Sequence, residues 1–411
     1  MNKIKIGVIL DQKITSGGGF QQSLNAILLI NELQGDNADI VFFTTVKENI
    51  NVLSKNGISF KYVKISFINK FFSIIKSKFY HPKILNFLKS INNYSKFEKV
   101  MIGNNIDLIY FTSPSSLAKE VDKLNYILTV WDLNYLYNNE FPEFRENKIT
   151  DNLHQFYQLA AKKATAVIVD SEMSRDDVAT NYLISKNKVY VVPYESAQNI
   201  KNYLSKNFSE PIDIKKKYNV KFPYIFYPAQ FWPHKNHAYI LLGIRILEDK
   251  FNIKISALFS GSDQGNISFV KDQVQKLKLE NQIHFIGFVD SKDIPIIYKQ
   301  SIALVMPTFF GPTNIPPLEA FDLGVPVLYS DLEGLRDQVN DAALLMDLKN
   351  PESMALTLKN LINNNNLRET IIKKGYERSG YFKKIDRLKI LKTIIEDFKI
   401  KTLCWKDLND N

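Results

Sequence analysis

The stretch YIFYPAQ (224–230) is a short apolar run at which a strand-and-helix rhythm, already present in the first half of the chain, begins again. Runs of this kind, separated by helical segments, are typical of strands buried on both faces of a parallel sheet. The runs before it are IKIGVIL (4–10), DIVFFTTV (39–46), LIYFTS (108–113), YILTVWD (126–132), AVIVDS (166–171) and KVYVVP (188–193). Those after it are KISALFSG (254–261), IHFIGFV (283–289), IALVMP (302–307), VPVLYS (325–330) and AALLMD (342–347). The sequence therefore predicts an α/β protein with two Rossmann-like domains in tandem.

The composition is that of a globular, intracellular chain. Of 411 residues, 45% are hydrophobic and 23% are charged, which excludes a peptide-sized module and disorder over most of the length. The single cysteine, Cys404, cannot form an intramolecular disulfide, and this favours a reducing compartment. The apolar run IGVIL (6–10) is too short for a signal peptide, and no window approaches the roughly 20 apolar residues that span a bilayer. We expect a cytoplasmic protein.

The domain boundary is predicted in the polar, weakly patterned stretch around residues 205–216. This gives a first domain over residues 1–205 and a second over 206–385, with a C-terminal helix in 386–411 that packs back on the first domain. Ligands of open parallel sheets bind at the carboxyl ends of the strands. We therefore expect the site in a cleft that the two domains share.

Positive charge is concentrated between Lys61 and Lys99. This segment has nine lysines and one acid, Glu98, so it supplies +8 of the chain's net charge of +10. Apolar residues from Phe67 to Phe79 recur near a helical period, which predicts a basic amphipathic helix. Such a helix can lie on the anionic inner face of the membrane, or it can pack in the core with its lysines in water.

Three segments carry candidate binding chemistry. In the first, Gly17, Gly18 and Gly19 follow the first strand and precede a helix, where backbone amides favour an anion, although a plain flexible turn has the same pattern. In the second, YPAQFWPHKNH (227–237), Lys235 stands at a strand-to-helix junction where it can pair with phosphate oxygens. A surface lysine is the alternative.

The third segment is PTFFGPTNIPPLEAFDLGVPVLYSD (307–331), a strand end, a Gly-Pro turn and a helix that starts near 314–317. Asn314 suits a helix cap, and proline suits the first helical position. The amides of Thr313, Asn314 and Ile315 are therefore expected to form an anion nest. Glu319, one turn into the helix, can accept hydrogen bonds from sugar hydroxyls or can be a structural glutamate.

Together these segments resemble the nucleotide-sugar-dependent glycosyltransferases of family 4, whose fold is GT-B, two Rossmann-like domains facing each other across a cleft. The resemblance rests on PAQFWPHKNH (228–237), HFIGFVDSKDIPIIYKQS (284–301) and FFGPTNIPPLEAFDLGVPV (309–327). It covers residues 224–358 almost continuously, and in the first domain it continues through TVWDLNYLYNNEFPEF (129–144) and AVIVDSEMSRDDV (166–178).

The resemblance implies a role for each matching residue of the second domain. Lys235 matches the lysine that contacts the donor diphosphate, with His234 beside it, and Gln230 stands where the family has an arginine. Glu319 matches the second of two glutamates and would contact the ribose, whereas Gly311 stands at the first. The remaining donor-binding matches are Thr313, Asn314 and Ile315 near the sugar and phosphates, and Gly287, Phe288 and Val289 at the nucleobase.

In the first domain, Trp131-Asp132 stands where many members have His-Asp. Asp132 is a candidate catalytic residue together with Lys235 and Glu319, Trp131 is a candidate acceptor-binding residue, and Gly18 and Gly19 are candidates for donor binding. The implied reaction is a retaining transfer from a GDP-mannose-like or UDP-sugar donor to a hydroxyl of a lipid-linked or surface glycan such as O-antigen, capsule or lipopolysaccharide. No D-x-D triplet occurs, so we expect neither a metal nor another cofactor.

Two other interpretations remain open from the sequence. A GT-B-like sugar-nucleotide epimerase would share the diphosphate site but would not need an acceptor surface. A basic nucleic-acid- or membrane-binding protein without enzymatic activity would account for the net charge of +10, but the chain has no recognised nucleic-acid motif. We expect the partners to be a nucleotide sugar, a glycan or glycolipid acceptor and an anionic membrane surface, and no nucleic acid.

Overall fold

A computed structural model describes residues 3–13, 18–35, 38–54, 57–64, 95–145, 149–206, 212–311 and 313–405. The chain divides into two compact units. Unit 1 comprises residues 1–133, 150–193 and 386–411, and unit 2 comprises residues 134–149 and 194–385. The basic amphipathic helix predicted from Phe67 to Phe79 lies outside the described residues.

Unit 1 is built on a parallel sheet of seven strands in the order β3-β2-β1-β4-β5-β6-β7. The strands are β1 Ile4–Leu10, β2 Ala38–Thr44, β3 Phe60–Tyr62, β4 Leu108–Phe111, β5 Asn125–Thr129, β6 Ala166–Val169 and β7 Val189–Val191. The main helices are Gly18–Asn31, Asn49–Ser54, Lys96–Gly103, Ile149–Lys163, Glu172–Tyr182 and Arg387–Thr402. Because the central strands are buried on both faces, they are continuous apolar runs.

Unit 2 repeats this plan with six parallel strands in the order β10-β9-β8-β11-β12-β13. The strands are β8 Tyr224–Pro228, β9 Ser256–Ser260, β10 Ile283–Gly287, β11 Leu304–Met306, β12 Val327–Ser330 and β13 Leu344–Met346. Its helices are Pro142–Arg145, Gln198–Lys206, Ile214–Lys217, His237–Phe251, Ile267–Lys276, Ile294–Gln300, Ile315–Asp322, Leu335–Val339, Pro351–Asn363 and Asn365–Lys383. Both orders match the doubly wound Rossmann arrangement, and the predicted α/β class is confirmed.

The units are divided at positions that differ from the predicted boundary after residue 205. The chain enters unit 2 at Tyr194, because Ala197 and Ile200 already lie in the hydrophobic core of that unit. Residues 134–149 also belong to unit 2, although the chain on both sides of them belongs to unit 1. The helix Arg387–Thr402 belongs to unit 1, where its apolar side chains share a core with those of Gly18–Asn31.

Among the described helices, none combines the length and the apolar character that a bilayer-spanning helix needs.

Candidate functional site

The predicted phosphate-binding lysine lies at the carboxyl edge of the unit 2 sheet. Lys235 ends a short 3-10 helix, Pro233–Lys235, that follows β8 and precedes the helix His237–Phe251. Its Nζ lies 3.5 Å from Thr308 Oγ1, just beyond β11, and 3.5 Å from Asn314 Oδ1. The structure therefore brings together Lys235 and Asn314, which the sequence placed in separate segments.

Asn314 occupies the N-cap of the helix Ile315–Asp322, as expected, but its side chain makes no capping hydrogen bond. Its backbone N–H donates to Gln338 Oε1 over 3.0 Å, so this amide is not open to a ligand. This corrects the expectation of three outward amides, because Gln338 fills the place of an anion at one of them. Thr313 is half-buried beside Asn314, and Ile315 is buried at the first helical position.

Glu319 lies in the same helix, with a buried carboxylate. Its Oε2 accepts a hydrogen bond from the Tyr298 hydroxyl over 3.0 Å, and its carboxylate also accepts one from the backbone of Ala197. Burial raises the pKa of Glu319 to about 7, since these two bonds only partly offset the loss of solvent. The side chain is therefore positioned, and it exchanges a proton near neutral pH.

His234, next to Lys235, is held by a glutamate that the sequence analysis did not single out. The Glu143 carboxylate accepts from His234 Nδ1 over 2.5 Å, and the imidazole stacks on Phe310 with ring centroids 4.0 Å apart. Burial and the adjacent Lys235 charge lower the pKa of His234 to about 4, despite the glutamate. Burial acts to raise the pKa of Glu143, but hydrogen bonds from His234 outweigh it and lower that pKa. A neutral imidazole thus donates to a carboxylate.

Gln230 and the predicted nucleobase loop lie at the same edge. The Gln230 Oε1 accepts from Trp232 Nε1 over 3.1 Å, so the residue at the family's arginine position braces its own turn. Gly287 ends the edge strand β10 with φ +63°, a conformation that favours glycine. Phe288 beyond it is 78% exposed, whereas Val289 is buried. One strand, β9, lies between β10 and β8, and the sheet order thereby places this loop apart from Lys235 along the edge.

Four predicted residues belong to the carboxyl edge of the unit 1 sheet. Gly18 and Gly19 begin the helix Gly18–Asn31, and Trp131 and Asp132 follow β5. A Cβ on Gly19 would lie 2.5 Å from Trp131 Cη2, so the indole ring packs directly against this glycine. Asp132 is half-buried beside it. The structure therefore brings together Gly19 and Trp131.

Sequence reasoning missed Glu143 and Gln338. Glu143 lies in NEFPEF (139–144), an aromatic-rich stretch that indicates packing but not which element it packs against. Gln338 lies 24 residues beyond Asn314, in a short helix with no motif. Among the described residues, no group of three His, Cys, Asp or Glu is arranged to hold a metal ion.

Comparisons with known proteins agree with this architecture. The family model described as glycosyl transferases group 1 matches residues 208–378. The chain is 21% identical over 242 residues to O-antigen chain mannosyltransferase B of Escherichia coli, and 25% identical over 237 residues to O-antigen chain mannosyltransferase RfbU of Salmonella typhimurium. These matches cover 59% and 58% of this chain, and they span 62% and 61% of the two relatives, less than two thirds of each.

The fold extends over nearly the whole chain. The crystal structure of Anabaena Alr3699/HepE in complex with UDP-glucose superposes with a TM-score of 0.66 at 17% identity, covering 96% of this chain and 99% of that one. The expected GT-B fold is thereby confirmed. Residues 208–378, less than half of the chain, are thus similar to the glycosyl transferases group 1.

Proposed function

We propose that this protein is a retaining glycosyltransferase of family 4. It transfers a sugar from a nucleoside diphosphate sugar, either GDP-mannose-like or a UDP-sugar, to a hydroxyl of a lipid-linked or growing surface polysaccharide. The mannosyltransferase relatives named for O-antigen chains and the neighbour crystallised with UDP-glucose support this class of donor and acceptor.

The observation that carries the proposal is the convergence of Lys235 and Asn314 at one edge of the unit 2 sheet. Their side chains lie 3.5 Å apart although they follow different strands, and Glu319 lies five residues after Asn314, in the helix Ile315–Asp322. A cation beside polar groups at the carboxyl edge of a Rossmann sheet is suited to a nucleotide diphosphate. We therefore propose that Lys235 contacts the phosphates and that Glu319 contacts the ribose.

The proposed chemistry needs stabilisation of a leaving diphosphate. The bond from the sugar anomeric carbon to the phosphate oxygen breaks, a bond to the acceptor oxygen forms on the same face, and the acceptor proton passes to the departing phosphate. Lys235 would stabilise the negative charge that grows on this phosphate. Asp132 would orient the sugar or the acceptor, and Trp131 would stack on an acceptor ring. Because the sequence has no D-x-D triplet, we propose that turnover needs no metal and survives EDTA.

The proposed location is the cytoplasmic face of the cell membrane, where lipid-linked acceptors would be met. The lysine-rich segment from Lys61 to Lys99 supports this, since each lysine near an anionic surface adds about 1 kcal/mol of binding. Replacing Lys70, Lys76 and Lys78 by glutamate should release the protein from anionic vesicles and leave nucleotide binding intact. Unchanged vesicle binding would show that these lysines are only solvated.

Thermal unfolding with UDP, GDP, dTDP and ADP tests the proposed donor. A ligand at 100 times its dissociation constant stabilises the folded state by roughly 2.7 kcal/mol, so the cognate nucleotide should raise the melting temperature and the others should not. If neither UDP nor GDP does so at millimolar concentration, the proposed function is wrong, even where dTDP or ADP stabilises the protein.

A further inference from the structure

A network of hydrogen bonds to two buried side chains, Tyr329 and Gln338, holds Asn314 in place. It joins three elements of unit 2: Asn314 before the helix Ile315–Asp322, Tyr329 in β12, and Gln338 in the helix Leu335–Val339. Tyr329 is fully buried and Gln338 is 3% exposed. The main-chain oxygen of Gln338 accepts a 2.8 Å hydrogen bond from Arg378 Nε, so the network is anchored at its far end to the helix Asn365–Lys383.

The carboxamide of Gln338 makes two hydrogen bonds to the backbone of Asn314, one with its N–H and one with its C=O. Its Oε1 accepts from the Asn314 N–H over 3.0 Å, and its Nε2 donates to the Asn314 C=O over 2.6 Å. These two bonds fix which end of the Gln338 amide is oxygen, because an N–H can only donate and a carbonyl can only accept. The orientation of Gln338 is therefore determined by backbone chemistry alone.

The orientation of Gln338 determines the orientation of each group between it and Lys235. Since Gln338 Oε1 is an acceptor, the Tyr329 hydroxyl 3.0 Å away donates to it. The hydroxyl oxygen then accepts from Asn314 Nδ2 over 2.6 Å. Asn314 Oδ1 is consequently turned to the other side, where Lys235 Nζ lies 3.5 Å away. The Tyr329 hydroxyl donates on one side and accepts on the other, and each amide atom has one fixed role, so the network has a single polarity that ends at the lysine ammonium.

Gly311 provides the space that this arrangement needs. A Cβ there would lie 3.0 Å from Asn314 Nδ2 and 3.1 Å from its Oδ1, and the residue has φ +118°. A side chain at position 311 would therefore meet the carboxamide of Asn314 and would strain the backbone. The Asn314 carboxamide occupies the space beside Gly311, so its placement requires a glycine at that position.

We propose that Gln338 is a positioning residue for the diphosphate site, acting through Tyr329 and Asn314 to set the place of the Lys235 ammonium. The inference rests on the proposed function, because it assumes that Lys235 meets the terminal phosphate of a nucleoside diphosphate. Gln338 itself touches no substrate. Its loss should impair recognition of the second phosphate and leave the rest of the nucleotide site intact.

Calorimetry with paired nucleotides separates positioning from general damage. The dissociation constant of UMP divided by that of UDP, and likewise of GMP by that of GDP, measures what the second phosphate contributes to affinity. Gln338→Leu and Tyr329→Phe should each lower this ratio about three- to tenfold, the worth of one hydrogen bond, while monophosphate affinity stays within about twofold. Tyr329→Phe removes a single oxygen atom and decides the matter if Gln338→Leu does not fold.

Tyr224→Phe is the matched control. Tyr224 is also a fully buried strand tyrosine, and its hydroxyl donates to Ile297 O over 2.9 Å. It should lose comparable stability and keep the parent's ratio. Folded Gln338 or Tyr329 variants with an unchanged ratio, or with equal losses of monophosphate and diphosphate affinity, overturn the positioning role alone. A parent protein that binds neither UDP nor GDP overturns the proposed function and this inference together.

Discussion

The carboxyl edges of the two sheets differ in how far their polar groups are already paired. In unit 2, Lys235 and Asn314 are joined to a network of hydrogen bonds that continues to Gln338. In unit 1, two buried donors, Trp131 Nε1 and Gln22 Nε2, have no hydrogen-bond partner within the described part of the chain. Buried donors without partners cost roughly 1–3 kcal/mol each. Lys235 and Asn314 are therefore already held by partners within unit 2, although Glu143 Oε2 near them is buried without one, whereas Trp131 and Gln22 in unit 1 keep donors that a ligand could satisfy.

The largest effect should follow from removing the Lys235 cation at the unit 2 edge. Lys235→Ala deletes a charge whose interaction strengthens as the diphosphate departs, so turnover should fall by about 100- to 1,000-fold. Affinity for the nucleoside diphosphate should fall by less, since the ground state carries less charge at the breaking bond. Steady-state kinetics and calorimetry on the same variant measure both. A loss of affinity with turnover unchanged would place Lys235 in uniform binding and contradict a role in the transition state.

The buried carboxylate of Glu319, at the same edge, should make the stability of the protein depend on pH. The pKa of Glu319 is raised from 4.5 to about 7, so between these values the folded state holds a proton that the unfolded chain has released. Its contribution to stability is complete below pH 4.5 and is lost as the pH rises through about 7. The lowered pKa of His234, about 4, has the opposite effect below pH 6.5. The contribution of Glu319 must therefore be measured as a difference between two proteins.

Glu319→Gln provides that difference, because it removes the titration and keeps the shape. Relative to this variant, the parent should lose about 2.5 kcal/mol of unfolding free energy between pH 5 and pH 8, because each tenfold difference in proton affinity between the folded and unfolded chain corresponds to about 1.4 kcal/mol. Urea unfolding of both proteins at several pH values across this range measures it. Parallel profiles would mean that the Glu319 carboxylate is solvated as freely in the folded chain as in the unfolded one.

A smaller effect is expected on nucleotide affinity when Glu319 is replaced by alanine. Glu319→Ala removes a proposed contact to the ribose, and a hydrogen bond to a charged group is worth about 1.5–3 kcal/mol, so the affinity for donor and free nucleotide should weaken roughly ten- to a hundredfold. The variant also leaves the Tyr298 hydroxyl without its acceptor, so Tyr298→Phe is the control for that loss. If Glu319→Ala binds the cognate nucleotide like the parent, the glutamate is only structural.

The sequence predicted the architecture well, because parallel strands buried on both faces leave long apolar runs. Each of the twelve predicted runs overlaps one of the strands found in the described part of the chain. The thirteenth strand, Phe60–Tyr62, was missed, since a three-residue edge strand with two exposed positions gives no such run. The start of unit 2 was also placed too late, because Ala197 and Ile200 are too few to reveal in the sequence which core they join.

The candidate site could be predicted only where its chemistry is local. Lys235, Asn314 and Glu319 were singled out because glycine, proline and charged residues cluster at strand-to-helix turns, and the structure places Lys235 beside Asn314. Gln338 and Glu143 were not, since their roles depend on pairing across elements that no spacing encodes. The outward Asn314 amide was likewise an expectation from local helix geometry, and a residue from another helix occupies it.

The smallest effect is expected at the unit 1 edge, and it tests whether the Trp131 indole packs against Gly19. The Cβ of Gly19→Ala would meet the indole at 2.5 Å and 2.7 Å, and a rigid ring cannot move aside as a flexible side chain end would. Overpacking of this kind costs about 1–3 kcal/mol, and alanine's helix preference, roughly 0.5–1 kcal/mol, offsets part of it. Gly103→Ala is the matched control, because a Cβ there meets nothing within 4 Å at the end of the helix Lys96–Gly103. Urea unfolding should show Gly19→Ala destabilised by about 1 kcal/mol and Gly103→Ala unchanged or slightly stabilised. If both variants gain stability alike, the indole does not pack on Gly19 in solution, and the unit 1 edge is open where the structure places a ring.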